Sequence, residues 1–129
     1  MIELVRLDPE QEEYNAIREL WQKHSMAEDA RDLPGLISTL TEDCVYEIVG
    51  TGQRWERHEG AARFYTELLG RFPDIHFDLT DIVIGPQGVS EAARVSGVPN
   101  EPWNVIIFFP WDRERRLFKG ERVYADAEL

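Results

Sequence analysis

The sequence is poor in the features that mark secreted, membrane-spanning, nucleotide-bound and metal-bound proteins. It has one cysteine, Cys44, so no disulfide can close within the chain. Set in the apolar run CVYEIV, that cysteine is expected as a small buried hydrophobe rather than a nucleophile. No apolar run approaches the ~20 residues that span a bilayer. The opening MIELVRLDPEQEEY has no basic stretch followed by an apolar one. No secretory leader is therefore expected, and the expected location is cytoplasmic. Positive charge is scarce, with 14 Lys and Arg against 25 Asp and Glu and a net charge of −11. Without a basic stripe to displace counterions, neither nucleic acid nor an anionic membrane is an expected partner. His24, His58 and His76 show no HxH, HExxH or Cys/His spacing, so no metal is expected. Gly-x-Gly-x-x-Gly, P-loop and Gly-x-Ser-x-Gly patterns are missing too, so no cofactor and no serine-hydrolase elbow is expected.

What is present suits one domain over residues 1–129. The stretch 103–126, WNVIIFFPWDRERRLFKGERVYAD, holds two apolar runs, 105–111 and 117–125, split by charged residues. These read as two antiparallel strands joined by a polar turn. Upstream, Ile2, Leu4, Val5 and Leu7 form an apolar opening segment. Asp8 and Pro9 are a candidate N-cap and first helical residue. The helix they start is expected to run to about Arg31 and to bury Tyr14, Ile17, Trp21, His24 and Ala27/Glu28 at spacings of three and four. A short helix is expected over 33–40, a strand over 44–49 and a polar loop over 50–59. A third helix over 59–72 is stopped by Pro73. The period then switches to two, with strands over 75–84 and 89–97. Helices first and strands afterwards point to an α+β fold with the helices on one face of an antiparallel sheet.

Strand alternation sorts some candidate site residues. If Cys44, Tyr46 and Ile48 face inward, Glu47 is a solvated charge and Tyr46 becomes a polar tip in the interior. His24 sits on the apolar face of its helix, either as a core histidine or as a pocket-lining polar group. The aromatics Trp21, Phe64, Tyr65, Trp103 and Phe109 are mainly core, and some are expected to line a pocket.

A family resemblance rests on residues in order along nearly the whole chain from Tyr14. They are Trp21, His24, Asp32-Leu33, Leu40, Asp43-Cys44 and Tyr46-Glu47, then Gly60, Phe64-Tyr65, Leu69 and Phe72-Pro73-Asp74. Gly85-Pro86, Gly88-Val89, Phe109, Asp112, Gly120-Glu121, Tyr124 and Asp126 complete the set. This order resembles the NTF2-like superfamily and, within it, the SnoaL-like small proteins related to ketosteroid isomerases and polyketide cyclases. The resemblance implies a cone, a curved sheet wrapped around three helices with a pocket at its mouth, and a homodimer packed through its sheets.

The family's site patterns carry over unevenly. The limonene-epoxide-hydrolase type has Arg-x-Asp in one strand and Trp-Arg-Asp-Tyr in the last. Here Arg94-Val95-Ser96 and Glu121-Arg122-Val123-Tyr124 keep the arginine and lack both carboxylates. The polyketide-cyclase acid/base aspartate falls on Val123. The ketosteroid-isomerase pattern places a carboxylate base near Glu47 and a helix hydrogen-bond donor at His24. The resemblance also turns the Arg94 face toward the pocket, where Glu121 has the inward parity of its strand. An Arg94–Glu121 pair is the expected polar core, which would leave His24 neutral.

The implied catalytic set is His24, Glu47, Arg94 and Glu121. Trp21, Tyr46, Phe64, Trp103 and Phe109 are the implied binders of a small apolar ligand. The expected activity is cofactor-free acid–base chemistry on an apolar carbonyl compound, of isomerase, cyclase or dehydratase type. The alternative is a non-catalytic small-molecule binder of the same fold.

Overall fold

The structure, a computed structural model, describes residues 10–126. The apolar opening segment and the expected Asp8–Pro9 helix start lie outside the described residues. Helix α1, Gln11–Asp29, follows Glu10 as its N-cap and buries Glu13, Ile17, His24 and Ala27. The spacing of three, four and seven along one face is what an amphipathic helix lays on a core. Helix α2, Leu33–Ile37, is capped by Asp32, whose carboxylate accepts the Gly35 N–H at 3.0 Å. It is shorter than the expected 33–40 because Leu40 already pairs with Phe118 in the sheet.

Strand β1, Leu40–Ile48, is followed by β2, Gln53–Glu56, and then by α3, Arg57–Arg71. The expected polar loop over 50–59 thus contains a strand and the start of a helix. Polar composition hid β2 because it is an outermost strand paired only with β1, so its exposed side chains carry no buried alternation. His58 accordingly belongs to α3, with Nε2 3.0 Å from the Leu40 carbonyl oxygen. Strands β3, His76–Gly85, β4, Gly88–Ser96, β5, Trp103–Asp112, and β6, Leu117–Ala125, complete the chain.

The six strands form one sheet in the order β2-β1-β6-β5-β4-β3. The pair β1–β6 is parallel and the others are antiparallel. Register shifts between Leu40 and Val45, Leu79 and Asp81, and Phe108 and Trp111 bend the strands. The result is a curved, unclosed α+β sheet with three helices against its concave face. At Gly120, φ is +123° and an added Cβ would stand 1.9 Å from the Val45 carbonyl oxygen. Only glycine lets β6 approach β1 at that point.

Ile17, Leu36, Tyr46, Val89, Val95, Phe109 and Phe118 fill the space between helices and sheet, and Cys44 is buried among them as expected. Burial pushes its thiol up to about 11, so it stays protonated and unreactive. The convex face is different. Val83, Ile106 and Tyr124 lie on it with large exposed surfaces, in the same rows as Ser90, Phe108 and Ala92. Among the described residues no helix is long and apolar enough to cross a membrane.

Candidate functional site

A cavity of about 160 Å³ lies between the helices and the concave face. Its walls are mostly apolar, with Phe64 and Leu69 from α3, Val95 from β4, and Trp103, Val105 and Ile107 from β5. Strand period two and helix period near four deliver these side chains to one side of each element. Glu28, Tyr65 and Glu121 also line it and supply acidic and phenolic groups.

These polar groups are tied to others behind them. Tyr65 donates its hydroxyl hydrogen to Glu121 Oε2 at 2.8 Å. The Tyr46 and Tyr65 hydroxyl oxygens are 2.9 Å apart. With the Tyr65 hydrogen given to Glu121, Tyr46 is the donor of that second bond, so a chain of two phenols ends on one carboxylate. His24 Nε2 is 3.0 Å from the same Oε2, and its Nδ1 is 2.7 Å from Thr39 Oγ1. Thr39 has one hydroxyl hydrogen and gives it to the Leu36 carbonyl at 2.7 Å. Nδ1 is therefore a donor to Thr39. The Nε2–Oε2 contact must then hold one further proton, on the ring or on the carboxyl. The ring edges of Phe109 and Phe118 close over His24 at 5.2 and 6.2 Å between centroids.

Two more carboxyls feel the same low-dielectric interior. Burial, helped by the Glu121 charge, pushes Glu28 up to about 7. Its side chain keeps 25% of its surface open. Glu91, buried on β4, is pushed up to about 8 by burial first and by Glu121 and Glu28 second, against the Trp21 indole N–H that it accepts. Burial and the Glu121 charge hold Tyr46 and Tyr65 well above the usual phenol range. Interior charges of one sign disfavour each other's ionisation.

The expected site residues distribute over three places. Glu121, Phe64 and Trp103 line the cavity. His24, Tyr46 and Phe109 stand just behind its polar end, in contact with one another or with Tyr65. Trp21 lies behind the wall against Glu91. Glu47 and Arg94 are on the convex face, because Glu47 alternates with the buried Tyr46 and Ile48 and pairs with the exposed Arg122, and Arg94 is exposed beside Asp78 and Asn104. The inward members of β4 are Val89, Glu91, Ala93 and Val95. The expected Arg94–Glu121 pair does not form. Glu121 is instead joined to His24 and Tyr65, and both His24 nitrogens are engaged by protein groups, so His24 positions Glu121 and leaves no N–H for a ligand.

Sequence reasoning left Tyr65 among the core aromatics and gave no role to Glu28, Thr39 or Glu91. Glu28 follows His24 by four residues on one helix face, a signal that was available. Tyr65 and Thr39 matter only through partners distant in sequence.

The SnoaL-like domain family matches residues 17–116. No curated protein matches the sequence. Among solved structures, the chain is similar to an NTF2-like protein of unknown function from Mesorhizobium loti, with TM-score 0.78, 13% identity, and 95% of this chain and 100% of that chain covered. It is similar to a proposed ketosteroid isomerase from Kribbella flavida, with TM-score 0.76, 17% identity, and 91% and 82% covered. It is also similar to a proposed SnoaL-like polyketide cyclase from Shewanella denitrificans, with TM-score 0.71, 11% identity, and 85% and 90% covered. At such identities the likeness speaks for the fold alone. The curved sheet around three helices and the domain match over most of the chain make this protein a member of the SnoaL-like domain family, with an NTF2-like fold.

Proposed function

We propose that the cavity binds a small, largely apolar carbonyl compound and that Glu121 and Tyr65 carry out acid–base chemistry on it. The observation that carries this reading is their placement. Both groups line a mostly apolar cavity, and the Tyr65 hydroxyl stands 2.8 Å from Glu121 Oε2. A carboxylate there can take a proton from the carbon next to a carbonyl, while a phenol donates to the oxygen as it gains charge. Returning the proton to another carbon gives an isomer, and loss of a β-hydroxyl gives a dehydration. His24, fixed by Thr39, holds the carboxylate and sets its orientation. The step needs no organic cofactor.

The test is deuterium uptake from D2O at the α-carbon of a panel of cyclic ketones and enones, followed by NMR. Exchange that is lost in Glu121→Gln supports the reading. Ligands that raise the melting temperature without exchange above the variant's level would sink the catalytic part and leave a non-catalytic binder. One observation favours that second reading: the acceptor Oε2 of Glu121 already serves two protein groups.

The convex face supports a second copy of the chain as partner. Val83, Ile106 and Tyr124 are 65%, 50% and 45% exposed there, and apolar surface gathered on one sheet face is what a two-fold interface covers.

A further inference from the structure

We infer that His24, Glu28 and Glu121 form a binding site for one divalent first-row transition-metal ion of the zinc type. One ligand atom from each residue lies within 4.8 Å of the other two. Nε2 of His24 is 3.0 Å from Glu121 Oε2 and 3.9 Å from Glu28 Oε2. Donors around a zinc ion at ~2.0–2.2 Å stand ~3.0–3.5 Å from each other. His24 and Glu121 already have that spacing. Glu28 is a partly exposed side chain and can close the remainder by turning about its own bonds.

A second observation is independent of the acidic residues. His24 is 1% exposed, and Thr39 takes its Nδ1 hydrogen because the Thr39 hydroxyl is itself committed to the Leu36 carbonyl. Nε2 is therefore the ring nitrogen turned toward the two carboxylates. Metal-binding histidines are oriented in this way by a group holding the other nitrogen. Tyr65 supplies one hydrogen to Glu121, and Arg31 gives an N–H to the Ile75 carbonyl at 2.8 Å. The junction of Nε2 and Oε2 still requires a positive centre, which is a proton or a metal ion. One imidazole nitrogen and two carboxylate oxygens suit Zn²⁺, Co²⁺, Mn²⁺ or Fe²⁺ better than soft ions.

Glu28 and Glu121 both face the cavity. Three protein ligands leave a position open toward it, as in metal sites that take a water or an oxygen-bearing ligand. No motif announced this set, because two members are one helical turn apart and the third is 97 residues from His24. The inference goes beyond the proposed reaction and does not rest on it. An ion would displace the proton shared by His24 and Glu121.

The test is Zn²⁺ binding to the whole chain, stripped with a chelator and titrated against a chromophoric competitor. The expected result is one ion per chain. Affinity should fall as pH is lowered, since protons compete with the metal for its ligands. It should weaken by at least about tenfold in Glu28→Gln, the loss typical of disturbing a metal's immediate surroundings, and stay unchanged in His76→Asn. Should Glu28→Gln not fold, visible absorption of Co²⁺ bound to the unaltered protein decides, with the intense bands of a four- or five-coordinate ion expected. No binding at millimolar Zn²⁺, equal affinity in Glu28→Gln, loss in His76→Asn, or a Co²⁺ spectrum of the hydrated ion would each overturn the site and leave a shared proton only. None of these readouts depends on deuterium exchange at a substrate, so the two proposals fail separately.

Discussion

Replacing Glu91 by glutamine should make the protein more stable, and by an amount that grows with pH. Glu91 sits on β4 facing inward, between Ile82 of β3 and Ile107 of β5, and is 9% exposed. Its carboxyl is pushed from 4.5 up to about 8, mainly by burial and then by the charges of Glu121 and Glu28. Below pH 4.5 the group is protonated both folded and unfolded, and contributes no pH dependence. Between 4.5 and about 8 the unfolded chain releases the proton while the folded one keeps it. Stability then falls by about 1.4 kcal/mol per pH unit. Summed to pH 7 this is about 3 kcal/mol, and above about 8 the loss is complete. Glutamine keeps the oxygen that accepts the Trp21 N–H and cannot ionise. Glu91→Gln should therefore match the parent near pH 5 and exceed it by about 2–3 kcal/mol at pH 7, the lower end allowing for the new amide hydrogens. Urea unfolding followed by tryptophan fluorescence at several pH values between 5 and 8 measures this. A gap that does not widen with pH, or a variant less stable at pH 8, would refute the account of Glu91 as a buried neutral acid.

Tyr65→Phe removes the hydrogen bond to Glu121 and the acceptor of the Tyr46 hydroxyl. It should cost about 1–2 kcal/mol in denaturant unfolding and slow α-carbon deuterium exchange by about 10²-fold. An unchanged exchange rate would remove Tyr65 from the proposed chemistry. Gly120→Ala drives a Cβ into the Val45 carbonyl at positive φ and should lower stability by about 3 kcal/mol or more; a melting temperature within a degree or two of the parent would contradict the close β1–β6 approach. Static light scattering should give about twice the 15.0 kDa chain mass, returning to the single-chain mass in Ile106→Asp. A monomer of the parent at micromolar concentration would count against pairing through the convex face.

By itself the sequence determined which segments become helices and strands, since an apolar spacing of three and four or of two can satisfy only one kind of backbone. It also put His24 on the inner face of its helix, whereas Glu47 was outward only on the condition that Cys44, Tyr46 and Ile48 face inward, and the inward parity of Glu121 came with the family resemblance. It did not reveal β2, whose polar side chains face solvent on an outermost strand. Period two also left open which side of β4 faces inward, because Ala92 and Ala93 suit either face. The structure turns Ala93 in and Arg94 out, and with that Glu121 loses its expected partner. Which group meets Glu121 was decided by the curvature of the sheet and the seating of α1 and α3 in it, which bring His24 and Tyr65 to one carboxylate from 97 and 56 residues away. Such contacts depend on how whole elements pack, and no local pattern in the chain encodes them.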